Sequence, residues 1–204
     1  MPEPITTTST PVTAEPGGSR HVSQLRAALA LMAAYVVAAV PAALWFQPPL
    51  TGTMATLLLG SVLVVLSCID IETYLLPDAL TLPLAGLGLL FCVVLGWDEF
   101  VWRVAAALTG YGTLYGVAAL YRRSRGHDGL GMGDAKLFAA AGAWLGLDGL
   151  PSVLLAASLI ALAFAGLALA RGVAINGQTR IPFGPYLAFG FWLVWLYGPM
   201  TLGL

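Results

Sequence analysis

Asp70 and Asp134 stand at the edges of apolar runs in a chain that is 59% hydrophobic and only 9% charged. Asp70 opens the segment Asp70-Ile71-Glu72-Thr73-Tyr74-Leu75-Leu76-Pro77-Asp78. Asp134 closes Gly131-Met132-Gly133-Asp134 and is followed by Ala135-Lys136. An ionised carboxylate in or near hydrocarbon is costly, so a residue kept there marks a task. Two carboxyl groups held together cannot both ionise cheaply, and they come to share one proton near neutral pH. The ionised member can take a proton from water as that water attacks a carbonyl carbon. The protonated member meanwhile donates a hydrogen bond to the carbonyl oxygen. This is aspartic-protease chemistry, and it needs neither a metal nor a serine or cysteine nucleophile. Gly131 and Gly133 fit it, because glycine lets backbone approach a substrate closely and permits positive φ. Lys136 adds a cation able to steady the ionised form or to hold an anionic group.

Simpler roles compete for several of these residues. Asp78 follows Pro77 and precedes an apolar helical run, which is where an N-cap belongs. Capping and a direct catalytic part are both open for it, and Asp134 has the same capping option. Capping does not account for Asp70, which falls at a helix C-terminus, where the helix dipole disfavours negative charge. Glu72 is suited either to attracting basic substrate segments or to being a solvated loop charge. His127 and Asp128 lie in a glycine-flanked loop and read as loop residues, and Asp98 and Glu99 read as a solvated outer turn. Cys68 and Cys92 sit inside apolar runs as small helix residues. No CxxC pair occurs, so a cysteine-based zinc site is excluded, and no cofactor is expected.

The elements that must position these groups follow from composition. A soluble domain carries about 25% charged residues, far more than this chain. The sequence therefore predicts an all-α, polytopic membrane protein. Its net charge of -1 and the lack of a basic stripe argue against a nucleic-acid partner. Residues 1–23, rich in Thr, Pro, Ser and Gly towards their start, are expected to be a disordered tail. Residues 24–204 are expected to form one transmembrane domain. Seven apolar spans are legible: Leu25–Phe46, Thr53–Ile69, Ala79–Trp97, Val101–Tyr121, Ala135–Leu147, Pro151–Ala170 and Phe183–Leu204. The first, with Ala42-Ala43 near its end, resembles a signal peptide but is longer than an ordinary h-region, so an uncleaved helix is expected. The fifth is short for a crossing of about 20 residues. It either starts earlier, near Leu130, or lies partly inside the bundle. Ala139, Ala140, Ala141 and Gly142 would allow close helix contact there.

Basic residues give an orientation. Arg20 and Arg26 precede the first span. Arg122, Arg123, Arg125 and Lys136 fall between the fourth and fifth, and Arg171 and Arg180 between the sixth and seventh. Only Arg103 falls on the other side, so eight of the nine Lys and Arg share one face. The positive-inside rule makes that face cytoplasmic and the N-terminus inside. Asp70 and Asp134 then reach the same depth, at the cytoplasmic boundary.

Three segments resemble the prepilin peptidase family, the type IV leader peptidases among the GxGD intramembrane aspartyl proteases. Cys68-Ile69-Asp70-Ile71-Glu72 through Leu76-Pro77-Asp78-Ala79-Leu80-Thr81-Leu82-Pro83-Leu84 resembles the first aspartate motif. Gly131-Met132-Gly133-Asp134-Ala135-Lys136 resembles the second. Ile181-Pro182-Phe183-Gly184-Pro185-Tyr186-Leu187-Ala188 resembles the entry to the last helix. The resemblance implies that Asp70 and Asp134 are the catalytic pair, with Asp78 a motif residue. It also implies removal of a short basic leader, after a glycine, from prepilins or pseudopilins at the inner membrane of a bacterium, with membrane lipid as the surrounding partner.

Many members of that family carry a cytoplasmic insertion after the first span, often with zinc-binding cysteines, associated with N-methylation of the cleaved pilin. Here the corresponding link is only Gln47-Pro48-Pro49-Leu50-Thr51-Gly52. A short form that cleaves without methylating is expected. The rival reading is a proton-coupled transporter or channel component, since intramembrane carboxylates also relay protons. It leaves unexplained why two aspartates share one edge in Gly- and Pro-rich motifs. An inactive scaffolding relative is the third possibility, and the intact aspartates argue against it.

Overall fold

The structure is a computed structural model that describes residues 30–41, 50–93, 96–126, 131–172 and 182–199. The expected tail 1–23, Ala42-Ala43, the His127-Asp128 loop and Arg180 lie outside the described residues. Seven helices occur among those described. They are α1 (Ala30–Pro41), α2 (Leu50–Thr73), α3 (Asp78–Val93), α4 (Trp97–Arg125), α5 (Met132–Leu145), α6 (Gly149–Ala170) and α7 (Gly184–Tyr197). By length and composition, α2, α4 and α6 are apolar and long enough to cross a membrane. The chain is an all-α, polytopic membrane protein.

The spans were legible, but several ends move. α2 runs on to Thr73, so Asp70 lies within its last turn. Trp97 does not close the third span. It opens α4, after a break at Gly96, whose φ of 128° suits only glycine. Asp98 and Glu99 are accordingly in the first turn of a helix, where acidic groups favour the dipole, and Glu99 pairs with Arg103 at 3.7 Å.

The short fifth span has a clear explanation. α5 starts at Met132 and has 14 residues, nine of them buried, so it is a core helix whose length need not match the lipid. It packs against α4, α3, α7 and α6. Its crossing with α4 is very close: a Cβ at Gly142 would lie 2.5 Å from the Ala106 backbone oxygen. The alanines at 140 and 141 are fully buried beside it. Arg103 donates to the Trp144 carbonyl in the last turn of α5. Arg103 thus satisfies a helix end that would otherwise lack a partner.

Aromatic donors tie the outer helices to this core. Trp144 Nε1 donates to the Leu84 carbonyl of α3 at 2.8 Å. Trp195 Nε1 of α7 donates to Thr56 Oγ1 of α2 at 3.0 Å. α1 is fastened through Tyr35, which is buried and stacks on Trp192. Its hydroxyl lies 3.3 Å from Ser67 Oγ, and its carbonyl accepts from Trp192 Nε1 at 3.1 Å.

Candidate active site

Asp70 projects from the last turn of α2. Four residues on, Tyr74 adopts φ 56° and its N–H caps the Asp70 carbonyl at 2.9 Å, which ends the helix. A link of Tyr74, Leu75, Leu76 and Pro77 leads to α3. The Pro77 carbonyl accepts from the Leu80 and Thr81 N–H groups at 3.1 and 3.2 Å, so Pro77 holds the cap position of α3. Asp78 is therefore the first residue inside the helix rather than its N-cap. Its carboxylate instead accepts from Lys136 Nζ on α5 at 2.5 Å.

Asp134 is reached from the other direction. Gly131, with extended backbone, is the cap of α5, and Asp134 stands three positions later. From there a carboxylate can turn back towards the cap's own backbone N–H, as the acid of a capping box does. The Gly131 backbone indeed hydrogen-bonds Asp134, and a Cβ at Gly131 would lie 3.4 Å from Oδ2. Neither Gly131 nor Gly133 uses the positive φ that the sequence reading allowed for. Gly133 is glycine for room: a Cβ there would fall 2.7 Å from Leu76 Cβ.

The two aspartates come together at one end of the bundle. Asp70 is 5% exposed and Asp134 6%. Their carboxyl groups are close enough to act on each other electrostatically. The N-terminus of α7 completes the enclosure. The Gly184 backbone faces Asp70, and a Cβ at Gly184 would lie 2.6 Å from Asp70 Oδ2 and 3.2 Å from Leu76 Cδ1. That Oδ2 is buried with no hydrogen-bond partner among the described protein groups. An oxygen so placed is free to share a proton or to bind a reacting water.

The remaining site residues divide. Glu72 is exposed on the final turn of α2, so it is a helix charge rather than a loop charge. Lys136 is two residues from Asp134, a spacing that places the two on different faces of a helix. It serves Asp78 instead. Cys68 and Cys92 are both free, and Cys92 is buried against the Ala143 carbonyl. No three His, Cys, Asp or Glu side chains converge as a metal set among the described residues. The sequence reading assigned no role to Leu76 or Gly184, although both touch the pair's surroundings. Gly184-Pro185 could have been noticed, since proline in the first turn marks a helix start. Nothing local distinguishes Leu76 from the other leucines.

A helical membrane protein that buries two neighbouring aspartates at one end of its bundle has the build of an intramembrane aspartyl protease. Residues 57–166, which include both aspartates, match the type IV leader peptidase family, and the chain belongs to that family. It is 46% identical over 149 residues to a prepilin leader peptidase/N-methyltransferase of Aeromonas salmonicida (strain A449), covering 72% of this chain and 50% of that protein. Proteins of the same name from Burkholderia pseudomallei (strain 1026b) and Neisseria gonorrhoeae are 42% identical over 145 residues and 38% over 142. These alignments cover 70% of this chain in both cases, and 46% and 48% of the respective relatives. The chain thus spans about half the length of the curated relatives it matches. No solved structure matches it.

Proposed function

We propose that this chain cleaves the basic leader from type IV prepilins or pseudopilins at the cytoplasmic face of a bacterial inner membrane. Residues 24–204 act as one transmembrane peptidase unit, and Asp70 and Asp134 are its catalytic pair. The observation that carries the reading is that both carboxyl groups are buried and within electrostatic reach of each other, inside the family-matched stretch. One carboxylate takes a proton from water as its oxygen attacks the scissile carbonyl, and the other, protonated, holds the carbonyl oxygen. The broken peptide leaves a carboxylate on the leader and an amine on the mature protein. A proton-coupled transporter is less well supported. Its carboxylates would mark a path across the bilayer, whereas these two share one end of the bundle.

The test is co-expression with a candidate prepilin, scoring loss of the leader by gel shift and mass. Asp70→Asn and Asp134→Asn keep size and hydrogen bonding but cannot ionise. Each is expected to lower cleavage by at least about 100-fold while the protein remains inserted. Near-normal processing by either inserted variant would remove it from the pair. Asp78→Asn is expected to be milder, since asparagine can still accept from Lys136. The same mass measurement, with purified enzyme and S-adenosylmethionine, reports on methylation. Only residues 47–49 separate the end of the first apolar run at Phe46 from α2, and so short a stretch supports cleavage without methylation. A methyl gain on the product that depends on this enzyme would overturn that part.

A further inference from the structure

The Asp78–Lys136 ion pair lies beside the aspartate pair without belonging to it. From Asp70 the chain runs through Tyr74, capped on the Asp70 carbonyl, to Leu76, which is 8% exposed and lodged against Gly133 and Gly184. It then reaches Asp78, which closes on Lys136 of the helix that bears Asp134. Within eight residues of Asp70, the chain is fastened twice to α5, once by an apolar wedge and once by charge. The side chains of Lys136 and Asp78 are 26% and 57% exposed. A pair so wetted contributes little to stability. Its geometry is nevertheless well suited to hold the wedge in place.

We propose that Asp78 and Lys136 are positioning residues whose ion pair clamps the Tyr74–Pro77 link to α5 and so sets the spacing of Asp70 and Asp134. The inference rests on the peptidase reading above. A displacement of about 1 Å can cost about 100-fold in rate, so a weak surface clamp can matter greatly to turnover and hardly at all to folding. Glu72, exposed on the last turn of α2, is not part of the clamp, because the ion pair that Lys136 makes is with Asp78.

The experiment uses the purified full chain in lipid vesicles with a prepilin peptide. Asp78→Lys and Lys136→Asp are each expected to lower kcat by about 10-fold or more, with KM and thermal midpoint little changed. The double swap, and Lys136→Arg alone, should recover most of the rate. A second readout does not need cleavage. Leu76→Cys, in a background lacking Cys68 and Cys92, should react with a soluble thiol reagent several-fold faster in either single variant and slow again in the double swap. Unchanged kcat and labelling in the single variants would overturn the clamp, as would a loss that neither the swap nor arginine repairs. If the unsubstituted chain cleaves no prepilin peptide, the peptidase reading fails, and the labelling series still decides whether the clamp exists.

Discussion

One methyl group at Gly184 would reach the chemistry. Its carbon would lie 2.6 Å from Asp70 Oδ2, too close for any real contact, so either the carboxyl or the start of α7 must move. In an ordinary helix the change to alanine is favourable, by up to about 1 kcal/mol. Gly184→Ala should therefore leave the protein inserted and folded while cutting leader cleavage by about 10- to 100-fold. Full activity of the inserted variant would mean that this approach is not tight in the working enzyme. At this scale the sequence was a good guide to the charged residues, because an aspartate in an apolar run is conspicuous. It was a poor guide to the groups that enclose them. Leu76 is one leucine among many, and the job of Gly184 depends on a contact with a residue more than a hundred positions away.

Helices explain which expectations moved. The seven spans were legible because continuous apolar runs leave few alternatives in a chain this poor in charge. Their ends were not, since apolarity does not stop where a helix does: Trp97 was read into the span it follows. Of the two roles open to Lys136, steadying the ionised aspartate or holding an anionic group, helical geometry favours the second, with the Asp78 carboxylate of α3 as the anion. The small residues of α5 were read correctly, and Gly142 offers the sharpest check on them. Its added Cβ would meet the Ala106 backbone, which cannot swing aside as a flexible side chain can. Gly142→Ala is expected to destabilise the protein by about 1–3 kcal/mol, seen as a lower unfolding midpoint in detergent. Because α5 carries Asp134, cleavage should fall as well. An unchanged midpoint would show that α4 and α5 can separate at little cost.

For the whole molecule, the first question is which way it faces. α4 and α5 are successive helices packed side by side, so the C-terminal end of α4 lies at the end of the bundle that holds the aspartates. That end carries Arg122 and Arg123, consistent with a cytoplasmic site. Ser124 is exposed on the final turn of α4 and offers a reporter. Ser124→Cys, in a chain lacking Cys68 and Cys92, should resist impermeant thiol reagents in intact cells and label after lysis. Labelling in sealed cells would reverse the orientation.

Helix length has a consequence for the surrounding bilayer. α4, with 29 residues, is about 43 Å long, whereas α5 and α7, with 14 each, reach about 21 Å. Hydrocarbon is about 30 Å thick. The two short helices begin at the site and are mostly buried, so any mismatch arises where helices of such different length share one bundle. Such hydrophobic mismatch makes acyl-chain length a control on turnover. Cleavage in vesicles of short-chain phospholipid should exceed that in long-chain vesicles at equal enzyme and peptide. Rates indifferent to thickness would mean that the neighbouring long helices shield α7 from the membrane's dimensions.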